Sequence, residues 1–136
     1  MYEKVLRPLL FRMDAERAHN WGLSLIAKGL IRTRLVHDPR LAIQAMGLDF
    51  AHPLGLAAGF DKNAVAVNQW KKLGFSYAEI GTVTARPQPG NPQPRLFRLP
   101  AEGAIINRFG LNSEGAERVA QKLREARPGI PLGVNL

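Results

Sequence analysis

The stretch Pro53–Asn63, with the sequence PLGLAAGFDKN, gives the clearest indication of the fold class. Its apolar run Leu54–Ala58 has the length of a buried strand, and Gly59 with the polar residues behind it ends that run. A helical pattern follows over Ala64–Leu73, and Gly74 is its predicted C-terminal stop. Strand, turn and helix in this order predict one βα unit.

The same alternation continues toward the end of the chain. Tyr77–Val83 is predicted to be a second strand and Leu132–Leu136 the start of a third, while Ser113 is expected to cap a helix that runs to about Ala126. Alternating strands and helices predict an α/β fold with a parallel sheet. Between the second strand and this helix lie a loop rich in proline and glycine and two short strand candidates: Ala85–Pro94, Leu96–Leu99 and Ala104–Ile106.

Three strands cannot close a barrel, and no helix follows the last strand to cover its face. The sequence therefore predicts the first part of a larger α/β fold. Its 136 residues are 46% hydrophobic and 22% charged, as in a globular protein, and no internal repeat or low-complexity tract interrupts them.

The residues before about position 50 are helical and basic. Residues 3–12 have the spacing of a short amphipathic helix, and Asp14 is expected to cap a second helix with Glu16 in its first turn. No run reaches the roughly 18 apolar residues of a spanning helix, and no secretory signal begins the chain. The apolar face of these helices either packs on the adjacent domain or lies at a lipid interface. In the second helix that face comprises Ala18, Trp21, Leu25 and Ile26.

Composition excludes some chemistry. The chain has no Cys, so disulfides, thiolate metal sites and a Cys nucleophile are excluded within these residues, and its three His are too scattered to predict a metal site. The net charge of +8 permits nucleic acid, acidic lipid, phosphate or carboxylate partners without choosing among them. The basic residues are spread along the chain without an aromatic stacking motif, so nucleic acid is not an expected partner.

Polar residues and glycines recur where the predicted strands end, which is where parallel α/β folds bind ligands. Glycine lets a backbone approach a ligand, lysine neutralises an anion, and the asparagine amide matches the N–H and C=O edge of a planar heterocycle. Ordinary turn chemistry accounts for the same residues, so both readings stay open. They are Ala58–Lys62, Gly81 and Thr82, Asn107–Asn112, and Asn135.

The loop Arg86–Arg95 is stiff, because each of its four prolines fixes a backbone angle. Arg95 and Arg98 follow, with Phe97 between them. Either these guanidinium groups are solvated on a rigid surface hairpin, or one of them is aimed at a ligand oxygen.

Four motifs, in this order, resemble the dihydroorotate dehydrogenase family. They are PLGLAAGFDKN (Pro53–Asn63), EIGTVTARPQPGNPQPRLFRLP (Glu79–Pro100), INRFGLNSEG (Ile106–Gly115) and GVN (Gly133–Asn135). The N-terminal helices, including MDAERAH (Met13–His19), resemble the membrane-associated, quinone-dependent class. The resemblance runs along the whole chain.

The resemblance implies a (β/α)8 TIM barrel that carries FMN and follows an N-terminal helical hairpin. Residues 1–45 would be an amphipathic segment for membrane contact and quinone access, and residues 46–136 the first βα units of an incomplete barrel. Such enzymes oxidise dihydroorotate to orotate in pyrimidine biosynthesis and pass the electrons to a quinone. The implied location is peripheral, on the cytoplasmic face of the cell membrane in a bacterium.

The resemblance also assigns residues. The family's catalytic base is a Ser on a later loop, beyond residue 136, so no catalytic residue is assigned and the isolated chain is expected to be inactive. The alternative is a non-catalytic fragment that binds lipid or nucleic acid through its positive charge. Leu111 stands where the family commonly has Phe. The implied FMN contacts are Ala58, Gly59, Phe60, Asp61, Lys62, Thr82 and Asn135; the substrate contacts are Lys62, Asn107, Arg108, Phe109, Gly110 and Leu111; the quinone-tunnel residues are His19 and Arg98.

Overall fold

The computed structural model describes residues 2–35 and 37–136. A π-helical turn over Tyr2–Leu6 leads directly into the first α-helix, and a separate three-stranded sheet forms the centre of the fold. The helices and strands are α1 (Arg7–Phe11), α2 (Ala15–Ala27), β1 (Ile43–Ala45), β2 (Leu48–Phe50), β3 (Gly55–Leu56), β4 (Tyr77–Ile80), β5 (Leu96–Leu99), β6 (Ala104–Asn107), α3 (Ala116–Glu125) and β7 (Leu132–Val134).

The two predicted N-terminal helices are confirmed. Asp14 caps α2 as expected, because its carboxylate accepts a hydrogen bond of 2.9 Å from the backbone N–H of Arg17. Among the described residues, no helix combines the length and the apolar character that crossing a bilayer requires.

The inward face of α2 differs from the predicted one. Leu23 and Ile26 pack against the buried Trp70, whereas Trp21 is 50% exposed. Glu16, His19, Leu23 and Ile26 follow one another at intervals of three or four residues, so all four lie on the same side of the helix. The prediction for Trp21 was wrong because the inward stripe begins with two polar residues, which an apolar pattern does not count.

The central sheet confirms the parallel α/β prediction. Its strand order is β3-β4-β7, with both pairs parallel, and the barrel is not closed within these residues. Ala78 and Ile80 alternate along β4 and are fully buried. Ile80 packs with Val119 of α3, and Ala78 packs with Trp70, so the same face of β4 supports two parts of the core.

Two antiparallel hairpins flank this sheet. The two short strands predicted at Leu96–Leu99 and Ala104–Ile106 are confirmed as β5 and β6, and they pair with Leu96 opposite Asn107. The pairing of β1 with β2 was not predicted. Its turn at Met46 and Gly47 has positive φ at both residues, which is the geometry that hairpin turns favour, but Met is an unusual residue there.

The predicted helix over Ala64–Leu73 does not form. Its segment is a series of turns that ends in a 3-10 helix over Trp70–Leu73, and only the predicted stop at Gly74 is confirmed, in the left-handed conformation. The carboxylate of Asp61 takes the backbone N–H groups of Val65 (2.7 Å) and Ala66 (2.9 Å), while Ala64 has a φ of 56°. A side chain thus replaces the helical hydrogen bonds of this segment.

Ser113 does not cap α3 either. The helix begins at Ala116 after Gly115, which has a φ of 87°. The Ser113 hydroxyl instead accepts hydrogen bonds from the backbone N–H groups of Gly115 (3.1 Å) and Thr84 (3.3 Å). It therefore joins the start of α3 to the segment that follows β4.

Asp61→Ala in the full-length protein is expected to lower the free energy of unfolding by about 3 kcal/mol, because the buried donors of Ala66 and the Trp70 indole, and the partly buried one of Val65, lose their acceptor. Asp49→Ala removes an exposed carboxylate and is the matched control. Denaturant unfolding measures both variants. Equal stability of the two would show that Asp61 does not organise this segment.

Candidate functional site

The carboxyl ends of the parallel strands, the β5–β6 hairpin and α2 surround one cavity of about 1120 Å³. Most of the side chains or backbone segments that the sequence predicted for a site line it, although they come from distant parts of the chain. These residues are His19, Ala58, Gly59, Phe60, Lys62, Thr82, Arg98, Asn107, Phe109, Gly110, Leu111 and Asn135.

Asp61 and Arg108 were predicted with these residues but do not line the cavity. Asp61 is fully buried and bonds to its own segment, as described above. The Arg108 guanidinium donates to the carbonyl oxygen of Pro94 at 2.9 and 3.2 Å and lies over the Phe97 ring. Both side chains stabilise the walls of the cavity.

Lys62 reaches the loop Asn107–Asn112 from the end of the first parallel strand. Its half-buried ammonium donates to Asn112 Oδ1 at 2.6 Å and to the Gly110 carbonyl at 3.1 Å, and it lies 5.4 Å from the centre of the Phe109 ring. Burial lowers the pKa of Lys62, and the nearby positive charge of Arg95 lowers it further. Both hydrogen-bond acceptors of the ammonium, the Asn112 amide oxygen and the Gly110 carbonyl, are neutral.

Thr82 and Asn135 are joined across neighbouring strand ends. The Thr82 hydroxyl donates to the side-chain oxygen of Asn135. The Asn135 backbone is also fixed, since its N–H bonds to Ile80 and its carbonyl accepts from Val83, both at 2.9 Å. The Asn135 amide nitrogen can then serve as a donor at a rigid position in the cavity wall.

The sequence left the guanidinium groups of Arg95 and Arg98 as either solvated or aimed at a ligand oxygen, and in the structure that of Arg95 is held by groups of the protein itself. Its guanidinium pairs with Glu16 of α2 at 2.6 Å and also donates to the carbonyls of Pro89 and Asn91. It lies 5.0 Å from the Phe109 ring centre. Arg95 thus joins α2 to the proline-rich loop and to the loop Asn107–Asn112. This role needs the buried carboxylate of Glu16.

His19 and Arg98 occupy the helix side of the cavity. The imidazole of His19 meets the edge of Phe60, with ring centres 4.9 Å apart, and burial lowers the pKa of His19, so the neutral ring predominates at pH 7. Arg98 donates to the Met13 carbonyl at 2.9 Å and lies over the Phe11 ring at 4.7 Å. The hairpin is fastened in this way to the end of α1.

Glu16 and Asn112 line the cavity but were not assigned as site residues. Glu16 has the helical spacing of the inward stripe, but the sequence analysis explained it only as an acidic residue that is favourable in the first turn of a helix. Asn112 lies at the end of the polar segment Asn107–Asn112, so its position beside the strand ends could have indicated a role in the site.

Comparison with known proteins agrees with this arrangement. The family model described as dihydroorotate dehydrogenase matches residues 40–136. The chain belongs to the dihydroorotate dehydrogenase family. Among curated relatives, the "Dihydroorotate dehydrogenase (quinone)" of Gloeobacter violaceus is 52% identical over 98% of this chain and 40% of its own length. That of Mycolicibacterium smegmatis is 50% identical over 100% of this chain and 41% of its own length.

A solved dihydroorotate dehydrogenase shows the same fold. The structure from Eimeria tenella, in complex with ferulenol, superposes with a TM-score of 0.80 and 44% sequence identity, covering 88% of this chain and 34% of that one. The chain thus spans about 40% of the length of the curated dihydroorotate dehydrogenases cited here.

Two glycines in this part of the dihydroorotate dehydrogenase fold have similar backbones and different surroundings. Gly59 and Gly81 have φ values of 100° and 99°. A Cβ on Gly81 would collide with the Asn135 carbonyl, whereas a Cβ on Gly59 meets no atom within 4 Å. Since Gly59 lines the cavity, its bare backbone leaves room for a flat ligand.

Gly81→Ala in the full-length protein is expected to destabilise the fold by about 3 kcal/mol or more, because both the positive φ and the collision with Asn135 oppose it. Gly59→Ala incurs the backbone strain alone, about 1 kcal/mol. We therefore expect Gly59→Ala to fold. Thermal melting measures both variants. Equal melting temperatures of the two variants would contradict the difference between their surroundings.

Proposed function

We propose that these residues form the first part of the site at which a quinone-linked dihydroorotate dehydrogenase oxidises dihydroorotate to orotate with FMN, in a barrel that residues beyond 136 complete. The observation that carries the proposal is that Lys62, Asn107 and Asn135, which are far apart in the chain, line one cavity. Membership of the family and the names of its quinone-linked relatives support the same activity.

The residues present fit a flavin. Gly59 has open space where a side chain would project, and Asn135 has an amide nitrogen fixed by its bond to Thr82. Ala58, Gly59, Lys62, Thr82 and Asn135 would hold the ring system of FMN at this wall. Bound FMN supplies the chemistry of accepting a hydride. The chain supplies donors that favour electron density on the ring and a surface flat enough to orient it.

The residues around Lys62 and Asn107 also fit an anionic pyrimidine. The ammonium of Lys62 attracts a carboxylate, and the side chain of Asn107 presents a donor and an acceptor to an amide edge. Phe109 and Leu111 add apolar surface beside them. These residues bind and orient dihydroorotate, and we propose that a group outside residues 1–136 takes its proton.

The helical end fits an apolar electron acceptor. Residues 1–45 form the proposed access segment and residues 46–136 the first barrel units. Val5, Leu9 and Trp21 are each about half exposed, at 51%, 54% and 50%, and are available to a lipid surface. His19 of α2 and Arg98 of β5 line the cavity at this helical end. We therefore propose peripheral membrane contact and quinone passage at this end.

The test is reduction of a quinone analogue by full-length protein supplied with dihydroorotate. Arg98→Ala is expected to slow the quinone half-reaction about tenfold, because it removes the charge and the anchor to Met13. The flavin half-reaction should keep its rate. Arg40→Ala, which removes an 88% exposed side chain, is the control. Absence of turnover in wild-type protein would refute the function, and equal slowing of both half-reactions would refute the role of Arg98.

A further inference from the structure

Lys62 differs from Arg95 and Lys122, two other cations that reach across the fold, in its partners. Arg95 and Lys122 pair with the carboxylates of Glu16 and Glu114 at 2.6 and 2.8 Å. In the part of the chain that the structure describes, Lys62 has no carboxylate within ion-pair distance, and its hydrogen-bond acceptors are the oxygens of Asn112 and Gly110. Its positive charge is therefore not neutralised, and one of its three N–H donors is left for a ligand.

Asn112 is rigidly supported. The next residue, Ser113, exchanges two backbone hydrogen bonds of 2.9 Å with Gln88 in the proline-rich loop. The buried Ser113 hydroxyl also bonds to Thr84 and Gly115. The Asn112 amide thus reaches Lys62 from a fixed backbone, which is the support that a precisely placed charged group requires.

We propose that Asn112 is a positioning residue for the reaction: its neutral amide oxygen holds the Lys62 ammonium at the cavity wall and leaves its charge available to the substrate carboxylate. The inference rests on the proposed function. An aspartate in the same place would hold the ammonium equally well but would neutralise it. An amide at this position can therefore hold the ammonium without neutralising its charge.

The decisive variant is Asn112→Asp in the full-length, FMN-loaded protein. We expect the dissociation constant for orotate and the KM for dihydroorotate to rise about tenfold or more, because a carboxylate competes with the ligand for Lys62. Asn112→Ala should lose less affinity than the aspartate variant, because it keeps the charge free. Asn68→Asp adds the same charge at an exposed amide outside this cavity and should bind orotate like wild type.

A pH series distinguishes positioning from mere support of the fold. Orotate affinity is expected to fall as pH rises through the pKa of Lys62, which burial and Arg95 lower. The aspartate favours the charged form and should move this fall to higher pH. His19 and Arg95 are charged or titratable groups that interact electrostatically with Lys62, and neither is altered in these variants.

The outcomes separate the two proposals. Wild-type protein that neither binds orotate nor oxidises dihydroorotate would refute the proposed function itself. The positioning role alone would be refuted if the wild-type protein is active, Asn112→Asp and Asn112→Ala lose equal affinity for orotate, and the pH at which this affinity falls does not change. A larger loss of affinity in Asn112→Asp, with the fall moved to higher pH, would support it.

Discussion

Lys62→Ala in the full-length protein is expected to lower kcat/KM for dihydroorotate at least about 30-fold, which corresponds to a loss of about 2–5 kcal/mol of interaction with the anionic substrate. The half-buried ammonium is bonded to Asn112 and Gly110 and faces the cavity without a carboxylate partner among the described residues. Its removal should weaken substrate binding and slow flavin reduction. Steady-state and rapid-mixing kinetics measure the two effects.

Lys72→Ala is the matched control, because it removes an exposed ammonium that bonds to the Gln69 side chain at 2.9 Å. We expect this variant to retain wild-type kinetics. A Lys62→Ala enzyme with an unchanged rate and normal flavin content would remove Lys62 from the site.

Arg95→Met is expected to give the largest loss of stability, about 3–5 kcal/mol, because it leaves the Glu16 carboxylate without its counter-charge. The two side chains are only 11% and 10% exposed, and Arg95 also bonds to Pro89 and Asn91. Loss of this contact should free α2 from the proline-rich loop. Denaturant unfolding of the full-length protein measures the effect, with Asp38→Asn, in the exposed Arg40 pair, as the control.

The same ion pair predicts a pH dependence. Hydrogen bonds from Arg95 lower the pKa of Glu16 below its ordinary 4.5. A carboxylate with a lowered pKa in the folded state stabilises the fold above about pH 4.5, and this stabilisation is lost as pH falls through the lowered value. The stability difference between wild type and Glu16→Gln should therefore narrow on acidification. A Glu16→Gln variant as stable as wild type at pH 7 would show that the pair contributes nothing.

The presence of parallel strands was predictable from the sequence, because the short apolar runs within Leu54–Ala58, Tyr77–Val83 and Leu132–Leu136 have few other interpretations, whereas their order in the sheet was not predicted. The helix predicted over Ala64–Leu73 was not found, because periodicity does not reveal that one carboxylate, Asp61, bonds to the backbone N–H groups of Val65 and Ala66. The local sequence pattern thus predicts strands more readily than it predicts a side chain that takes the backbone hydrogen bonds of a helix.

The candidate site was predictable in part for a similar reason. Strand ends bring Thr82 and Asn135 together by topology alone, and the structure confirms that contact. The partners of Arg95 were not predictable, because Glu16 lies 79 residues away on a helix whose rotation the apolar pattern misjudged. Long-range ion pairs depend on that rotation, and only the packed structure supplies it.

A crystal structure of the full-length protein with FMN and orotate would show directly which residues contact each ligand. We expect Lys62 Nζ and the Asn107 amide to lie within hydrogen-bond distance of orotate, and Thr82 and Asn135 to contact the flavin ring. Orotate or FMN bound elsewhere, with Lys62, Asn107 and Asn135 contacting neither, would contradict this expectation.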